Sequence, residues 1–419
     1  MKRSKSVFLP AVLGNILEYY DFTVYSVFSS AIAHTFFPAQ SQFPPILLAL
    51  AVFAVGFVTR PIGAILFGHI ADRYGRRVSL IVSILGMTIP TFIIGMLPSY
   101  SDIGLYAPII LIITRLLQGL CLSGEGAGTA IFVLEHYKNF RPGLTTGLVH
   151  GSNIAGTLIA SFIGIIIEQY FFGVSFAWRF AFILGGLMGI VGFYLRLKVS
   201  ETPVFTMLAK KKKTLKAPFL EVIKTAKLPM FLTFCTGAVT SSVVYMAKTY
   251  VNVFYHNVLH LDNTISLIYL SYVSLILMIS MPLSGLIADI IGKFRMIILS
   301  SISILCFGLP TLYFMSSLCS CNQIMALTIL GMLAGAISGT AYIFVISLFT
   351  PAQRFSGVAF SYNLGIAIFG GTSPMISGWL VEQTGLYYSP AFYIMATSSI
   401  FLIIMYCMSG AIKKLVQEQ

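Results

Sequence analysis

Gly68-His69-Ile70-Ala71-Asp72-Arg73-Tyr74-Gly75-Arg76-Arg77 returns later in the chain as Gly285-Leu286-Ile287-Ala288-Asp289-Ile290-Ile291-Gly292-Lys293. Glycine, aspartate, glycine and a basic residue keep identical spacing in both copies. The first copy follows the second long apolar run and the second copy follows the eighth. One segment placed twice at equivalent loops divides the chain into two halves of like topology. Such parallel repeats put a cavity between two bundles at mid-membrane, reached alternately from each side as the halves rock.

With 57% hydrophobic and 9% charged residues, and a mean hydropathy of +0.91, the composition is far from that of soluble proteins, where about a quarter of residues are charged. The chain reads as an all-α integral membrane protein. Twelve apolar stretches, each near the roughly 20 residues that cross the hydrocarbon as a helix, cover 7–33, 44–71, 76–98, 104–136, 143–168, 178–198, 226–256, 263–290, 294–317, 322–349, 355–382 and 388–411. The polar stretch 199–225, with Lys210 to Lys213, Lys216 and Pro218, separates a six-helix bundle over 1–198 from a second over 226–419. Of the 26 Lys and Arg, all but Arg60, Arg115, Arg179 and Lys248 are assigned to the termini or to loops after even-numbered stretches. Loops after odd-numbered stretches contain none. Basic short loops stay in the cytoplasm, so both termini and the linker are expected there.

The net charge of +13 belongs to those loops and suits anionic lipid headgroups, which sets nucleic-acid binding aside. Cys121, Cys235, Cys306, Cys319, Cys321 and Cys407 are scattered and form neither a disulfide framework nor a metal site of familiar spacing. Cys319 and Cys321 read as free thiols. His34, His69, His136, His150, His256 and His260 are unpaired at metal-ligand spacing, and no cofactor is expected. Lys2, Arg3 and Lys5 precede an apolar run, as in a signal peptide. That run is too long and lacks a small-residue cleavage site, so it is read as the first span.

The segment at 68–77 resembles the cytoplasmic signature of the major facilitator superfamily. Four more segments resemble its metabolite:proton symporter branch, which includes proline/betaine, α-ketoglutarate, citrate and shikimate carriers. They are Gly14-Asn15-Ile16-Leu17-Glu18-Tyr19-Tyr20-Asp21-Phe22, Arg60-Pro61-Ile62-Gly63-Ala64, Arg115-Leu116-Leu117-Gln118-Gly119 leading to Gly124-Glu125, and Tyr362-Asn363 running to Phe369-Gly370-Gly371-Thr372-Ser373-Pro374. The resemblance spans nearly the whole chain and implies the twelve-helix facilitator fold in a bacterial inner membrane. Tyr19 stands where the branch usually has Trp, Ser123 where it has Gly, and Ile290 where the second signature has Arg. None of these removes a charge from the membrane, so coupling is still expected; the weakened second signature bears on gating.

A carboxylate at Asp72, beside Arg73, Arg76 and Arg77, can accept charge-assisted hydrogen bonds and cap a neighbouring helix N-terminus. A pure topology signal needs the bases but no acid among them. Asp72 with Arg76 is therefore expected to latch the cytoplasmic side, with Arg73, Arg77, Asp289 and Lys293 in the same gate. Glu18 and Asp21, three residues apart, share one face of the first helix near mid-span. Intramembrane acids are costly and mark a pathway or a partner, and an acid whose cation moves away can load and release a proton. Glu125 is a third proton-coupling candidate, with Arg115 as the cation available to these acids. A permanent structural pair is the competing reading, and spacing does not choose among the acids.

Arg115 and Lys248, one in each half, are the cations expected near the cavity. A guanidinium can hold a carboxylate with two N–H groups, whereas Lys brings a movable point charge. The resemblance does not predict a Lys at 248, which points to an anionic or zwitterionic solute; neutralisation of Glu18, Asp21 or Glu125 is the alternative role. Arg60 reads as snorkelling or structurally paired, and Arg179, after Trp178, as an interfacial anchor. Tyr20, Tyr245, and Tyr362 with Asn363 lie in spans that the resemblance implies line the cavity. Aromatic faces there could hold the cation of a betaine-like solute, against a plain packing role.

The function expected is proton-coupled import, by a monomer, of a small carboxylate-bearing solute: a zwitterionic osmolyte such as proline or betaine, or a di- or tricarboxylate. An exporter of the same fold is the rival within this class, and a non-transporting membrane sensor the rival outside it. No nucleophile elbow, His-Glu-x-x-His or phosphate loop occurs, so an enzyme is not expected.

Overall fold

The computed structural model describes residues 5–38, 45–137, 141–171, 174, 176–211, 215 and 217–417. Lys2, Arg3, Lys212, Lys213, Lys216 and part of the 199–225 linker lie outside the described residues. Those described form helices and connecting turns, with no strand among them. This is how a chain of apolar runs satisfies its backbone in lipid.

Before the linker come α1 (Lys5–Val27), α2 (Ser29–Phe36), α3 (Pro45–Val58), α4 (Arg60–Tyr74), α5 (Arg76–Met96), the short α6 (Tyr100–Ile103), α7 (Tyr106–His136), α8 (Pro142–Tyr170) and α9 (Ala177–Leu197). The linker holds α10 (Pro203–Lys210) and α11 (Pro218–Thr225). After it come α12 (Lys227–Tyr245), a π-turn (Met246–Tyr250), α13 (Val251–Val253), a second π-turn (Phe254–Val258), α14 (Asn263–Ile291), α15 (Lys293–Met315) and α16 (Ser320–Ile346). The chain ends with α17 (Arg354–Gly365), a third π-turn (Ile366–Gly370), α18 (Gly371–Thr384), α19 (Pro390–Cys407) and α20 (Ser409–Gln417).

Ten helices among the described residues are long and apolar enough to cross a membrane, with Lys227–His256 and Arg354–Thr384 running through their π-turns. The first two apolar stretches are helical but differ from one-span expectations. The stretch 7–33 is interrupted at Phe28, between α1 and α2, and α1 carries Asn15, Glu18 and Asp21. The stretch 44–71 breaks at Thr59, which leaves two shorter helices, the second bearing Arg60 and Asp72.

In the first half, α1 packs on α8 and α9, and α5 packs on α7 and α9; in the second, α14 and α15 pack on α16, and α12 on α17. The halves meet along α8 against α14 and α4 against α17. A continuous apolar core crosses that seam, joining Phe67, Leu80 and Phe132 to Phe349, Phe355 and Tyr362. A second cluster, with Tyr25, Phe36, Trp178 and Phe182, fills the end of the first half far from the linker. Outward, α5 presents Val78, Val82, Leu85, Ile89 and Ile93 as an exposed stripe, at the helical spacing expected of a lipid-facing surface.

Arg196 departs from its assignment to a cytoplasmic loop. It is 3% exposed and reaches into the first half. Its guanidinium donates to both oxygens of Glu125, one at 2.8 Å, and to the carbonyls of Leu80 (2.7 Å), Pro10 (3.4 Å) and Ala11 (3.3 Å). Ser83 completes Glu125 with a 2.6 Å hydrogen bond.

Candidate functional site

The repeat closes the linker end of the molecule twice. Asp72, near the end of α4, accepts from the backbone N–H of Ser356 at 2.9 Å and its hydroxyl at 2.7 Å, in the first turn of α17. Asp289, near the end of α14, accepts from the backbone N–H groups of Gly143 (2.7 Å) and Leu144 (2.9 Å), in the first turn of α8. Each carboxylate caps a helix of the opposite half, where unpaired N–H groups and the positive end of the helix dipole favour an anion. The first glycine of each copy is the point of closest approach. A Cβ on Gly68 would lie 2.8 Å from Ser356 Cα, and one on Gly285 2.1 Å from the Gly143 carbonyl oxygen. The second glycine turns the chain into the next helix at φ +124° (Gly75) or +97° (Gly292), a region costly for other residues.

Arg76, fully buried, lies 3.3 Å from Asp72 and 3.6 Å from Glu135, and donates to the Pro351 carbonyl at 2.7 Å. Asp72 and Arg76 therefore pair within the first half, and their grip on the second runs through Ser356 and Pro351. Glu135 also faces Arg354 at 3.5 Å and accepts from Thr202 at 2.7 Å. Glu135 and Arg354 escape the sequence reading because each stands at the edge of an apolar stretch, where a charge looks like a boundary marker. Arg73 is exposed and lies over the Tyr74 ring at 5.4 Å, Arg77 donates to the Leu197 carbonyl at 2.6 Å, and Lys293 lies over Phe294 at 5.8 Å. In the linker, Glu201 accepts from the backbone N–H of Arg77, and burial pushes its carboxyl above its ordinary value.

Asp21 on α1 accepts from Thr91 of α5 (2.8 Å) and Gln118 of α7 (2.7 Å), and faces Arg115 of α7 at 3.7 Å. The spacing explains the assembly: Asp21 and Tyr25 share a face of α1, and Arg115 and Gln118 share a face of α7. The Arg115 guanidinium lies 3.9 Å over the Tyr25 ring, and its Nε and one Nη make no hydrogen bond within the protein. Two cavities of about 20 Å³ flank Asp21, each large enough for one water. One is bordered by Glu18, Asp21, Glu125 and Thr88, the other by Asp21, Arg60, Arg115 and Gln118. Small-molecule sites usually measure about 300–1,000 Å³, so solute space here must come from separation of the halves.

Between the halves, Lys248 on the first π-turn of the second half lies over the rings of Tyr19 (4.3 Å) and Tyr245 (4.5 Å). Arg60 faces inward, 3% exposed, donating to the Tyr245 hydroxyl at 3.3 Å and lying 4.4 Å over Phe57. Of the two readings of Arg60, snorkelling or structural pairing, its contacts fit the second: the aromatic rings and Tyr245 hold it in the interior. The expectation for Tyr20 is corrected. It is buried in the first half and donates to the Ala181 carbonyl at 2.7 Å, because the turn of α1 sends residue 20 toward α9 while residue 19 faces the other half. Asn363 bridges the halves through the Ser123 carbonyl (3.2 Å). The Tyr362 ring lies 5.2 Å from Tyr342, tilted by 46°, and the Tyr342 ring 4.5 Å from His150, tilted by 31°; His150 donates to the Ser338 carbonyl at 2.8 Å.

Comparison with known proteins finds the same helical architecture. The model of the Major Facilitator Superfamily matches residues 11–371. The chain belongs to this superfamily. It is a membrane transporter, not an enzyme. Among its curated relatives it is 32% identical over 411 residues to the "Putative proline/betaine transporter" of Staphylococcus aureus, covering 96% of this chain and 88% of that protein. It is 30% identical over 411 residues to the proline/betaine transporter of Escherichia coli K12, covering 94% and 81%. The glycine betaine/proline/ectoine/pipecolic acid transporter OusA of Dickeya dadantii is 30% identical over 422 residues, with 96% and 82% covered. The fold is similar to that of the proton:xylose symporter XylE bound to 6-bromo-6-deoxy-D-glucose, with a TM-score of 0.79 at 17% identity and 97% and 95% of the chains covered.

Proposed function

We propose that this superfamily member is a proton-coupled symporter that imports a small carboxylate-bearing solute by alternating access. The solute is either a zwitterion of the proline/betaine kind, which the relatives' names favour, or a di- or tricarboxylate. The chain forms twelve spans as two bundles, 1–198 and 226–419, joined by the cytoplasmic linker 199–225. Both termini are cytoplasmic, and the protein acts as a monomer in a bacterial inner membrane.

The observation that carries the proposal is Asp21, buried on the first helix, hydrogen-bonded on both oxygens and facing Arg115 between two water-sized cavities. An acid that keeps its cation stays ionised, and one that loses it in a dry interior takes up a proton. A solute carboxylate competing for Arg115, with its two unbonded nitrogens, links solute binding to proton uptake. Glu18, whose Oε2 is buried without a hydrogen bond, borders the same cavity as Asp21 and shares its single proton. Glu125, gripped by Arg196, assists from the shared cavity, and its pair is structural. Lys248, Tyr245, Tyr362 and Asn363 border the solute, while Asp72, Arg76 and Asp289 hold the gate, with Arg73, Arg77 and Lys293 at its cytoplasmic rim.

Uptake of labelled proline, betaine, α-ketoglutarate, citrate and shikimate into proteoliposomes tests this reading. One solute should accumulate under an inward proton gradient and lose that accumulation to a protonophore. The gate makes its own prediction: Asp72→Asn and Asp289→Asn, each weakening a cap on the opposite half, should slow uptake about tenfold at normal expression. Wild-type rates in both variants would remove the gate assignment.

A further inference from the structure

We propose that the central site takes a net-anionic carboxylate with no cationic group of its own, because the protein supplies that cation from Lys248. The inference rests on the symporter reading above and narrows its solute through the surroundings of Lys248. The Lys248 ammonium is ringed by Tyr19 (4.3 Å) and Phe22 (5.7 Å) from the first half and Tyr245 (4.5 Å) from the second. Several aromatic faces around one ammonium form the arrangement that recognises quaternary ammonium ligands. In this chain a tethered side chain fills it.

The surrounding charge points the same way. Arg60 shares the Phe22 ring at 5.3 Å and donates to the Tyr245 hydroxyl, and its buried Nε makes no hydrogen bond within the protein. Glu18 is the acid within electrostatic reach of both cations, while Asp21 is engaged by Arg115, Thr91 and Gln118. Asp21 and Glu125, the acids beside Glu18, are each matched by a cation of their own, Arg115 and Arg196, so Arg60 and Lys248 together carry one more charge than Glu18 opposes. A solute carboxylate meets complementary charge there. The ammonium of a zwitterion meets two like charges and finds its aromatic seat taken, a juxtaposition that costs binding in a low-dielectric site.

The test compares ligand-induced shifts in unfolding temperature of the purified full-length protein. The probes are succinate, α-ketoglutarate and citrate against glycine betaine and L-proline, each titrated. At least one carboxylate should stabilise the wild type at lower concentration than either zwitterion. Lys248→Met should weaken that response at least about tenfold and gain a response to glycine betaine, whereas Lys248→Arg should keep the carboxylate response. Stabilisation by a zwitterion below every carboxylate, absence of any carboxylate response, or an unchanged carboxylate response in Lys248→Met would each overturn the inference. The wild-type ranking decides it even where Lys248→Met fails to fold. Proteoliposome uptake of the responding solute separates the two readings: transport indifferent to the proton gradient defeats symport and leaves the charge preference intact, whereas gradient-driven betaine uptake unaltered by Lys248→Met defeats the charge preference alone.

Discussion

Asp21→Asn is expected to lose proton-driven accumulation while still exchanging labelled for unlabelled solute. Asparagine keeps the shape: its Oδ1 can accept from Gln118 and its amide N–H can donate to the Thr91 hydroxyl oxygen, the two groups that now hold the carboxylate. It can neither bind a proton at neutral pH nor oppose Arg115, 3.7 Å away. For one proton per solute, an inward gradient of one pH unit supports about tenfold accumulation. The variant should forfeit that factor and equilibrate its solute passively. Counterflow measured beside gradient-driven uptake separates coupling from binding: loss of both would assign Asp21 to structure, and retention of both would remove it from coupling.

Arg196→Met is expected to produce the largest loss of stability. Its guanidinium ties α9 to Glu125 of α7, to Leu80 of α5 and to the backbone of α1 at Pro10 and Ala11. Removing one partner of a buried pair strands the other charge, at a cost of about 3–5 kcal/mol. The double variant Arg196→Met with Glu125→Leu strands neither charge and should recover much of that loss. Thermal unfolding in detergent checks both, and a single variant as stable as the wild type would mean that Glu125 finds another partner.

Much of the architecture can be read without coordinates because lipid makes composition and spacing decisive. The two Gly-x-x-x-Asp copies stand out because their glycines and aspartates each have a mechanical role, whether close approach, capping or turning the chain. Helix phase is harder to read. Tyr19 and Tyr20 are adjacent and alike, yet one turns to Lys248 and the other to Ala181. A cation in an apolar run looks the same from sequence whether it snorkels or faces inward, which is why Arg60 and Arg196 gave no sign of their partners. Both find them across helices distant in the chain, at Tyr245 and Glu125. Glu135 and Arg354 are hidden for a related reason, since the charges flanking an apolar stretch are what any span shows.

In the proposed mechanism, solute and proton cross together through the Asp21 site. Proteoliposomes loaded with a pH-sensitive dye, with no imposed gradient, give the decisive test when the solute identified by uptake is added outside. Internal acidification should follow solute addition with the wild type and be absent with Asp21→Asn. Solute entry without acidification in the wild type would contradict the mechanism.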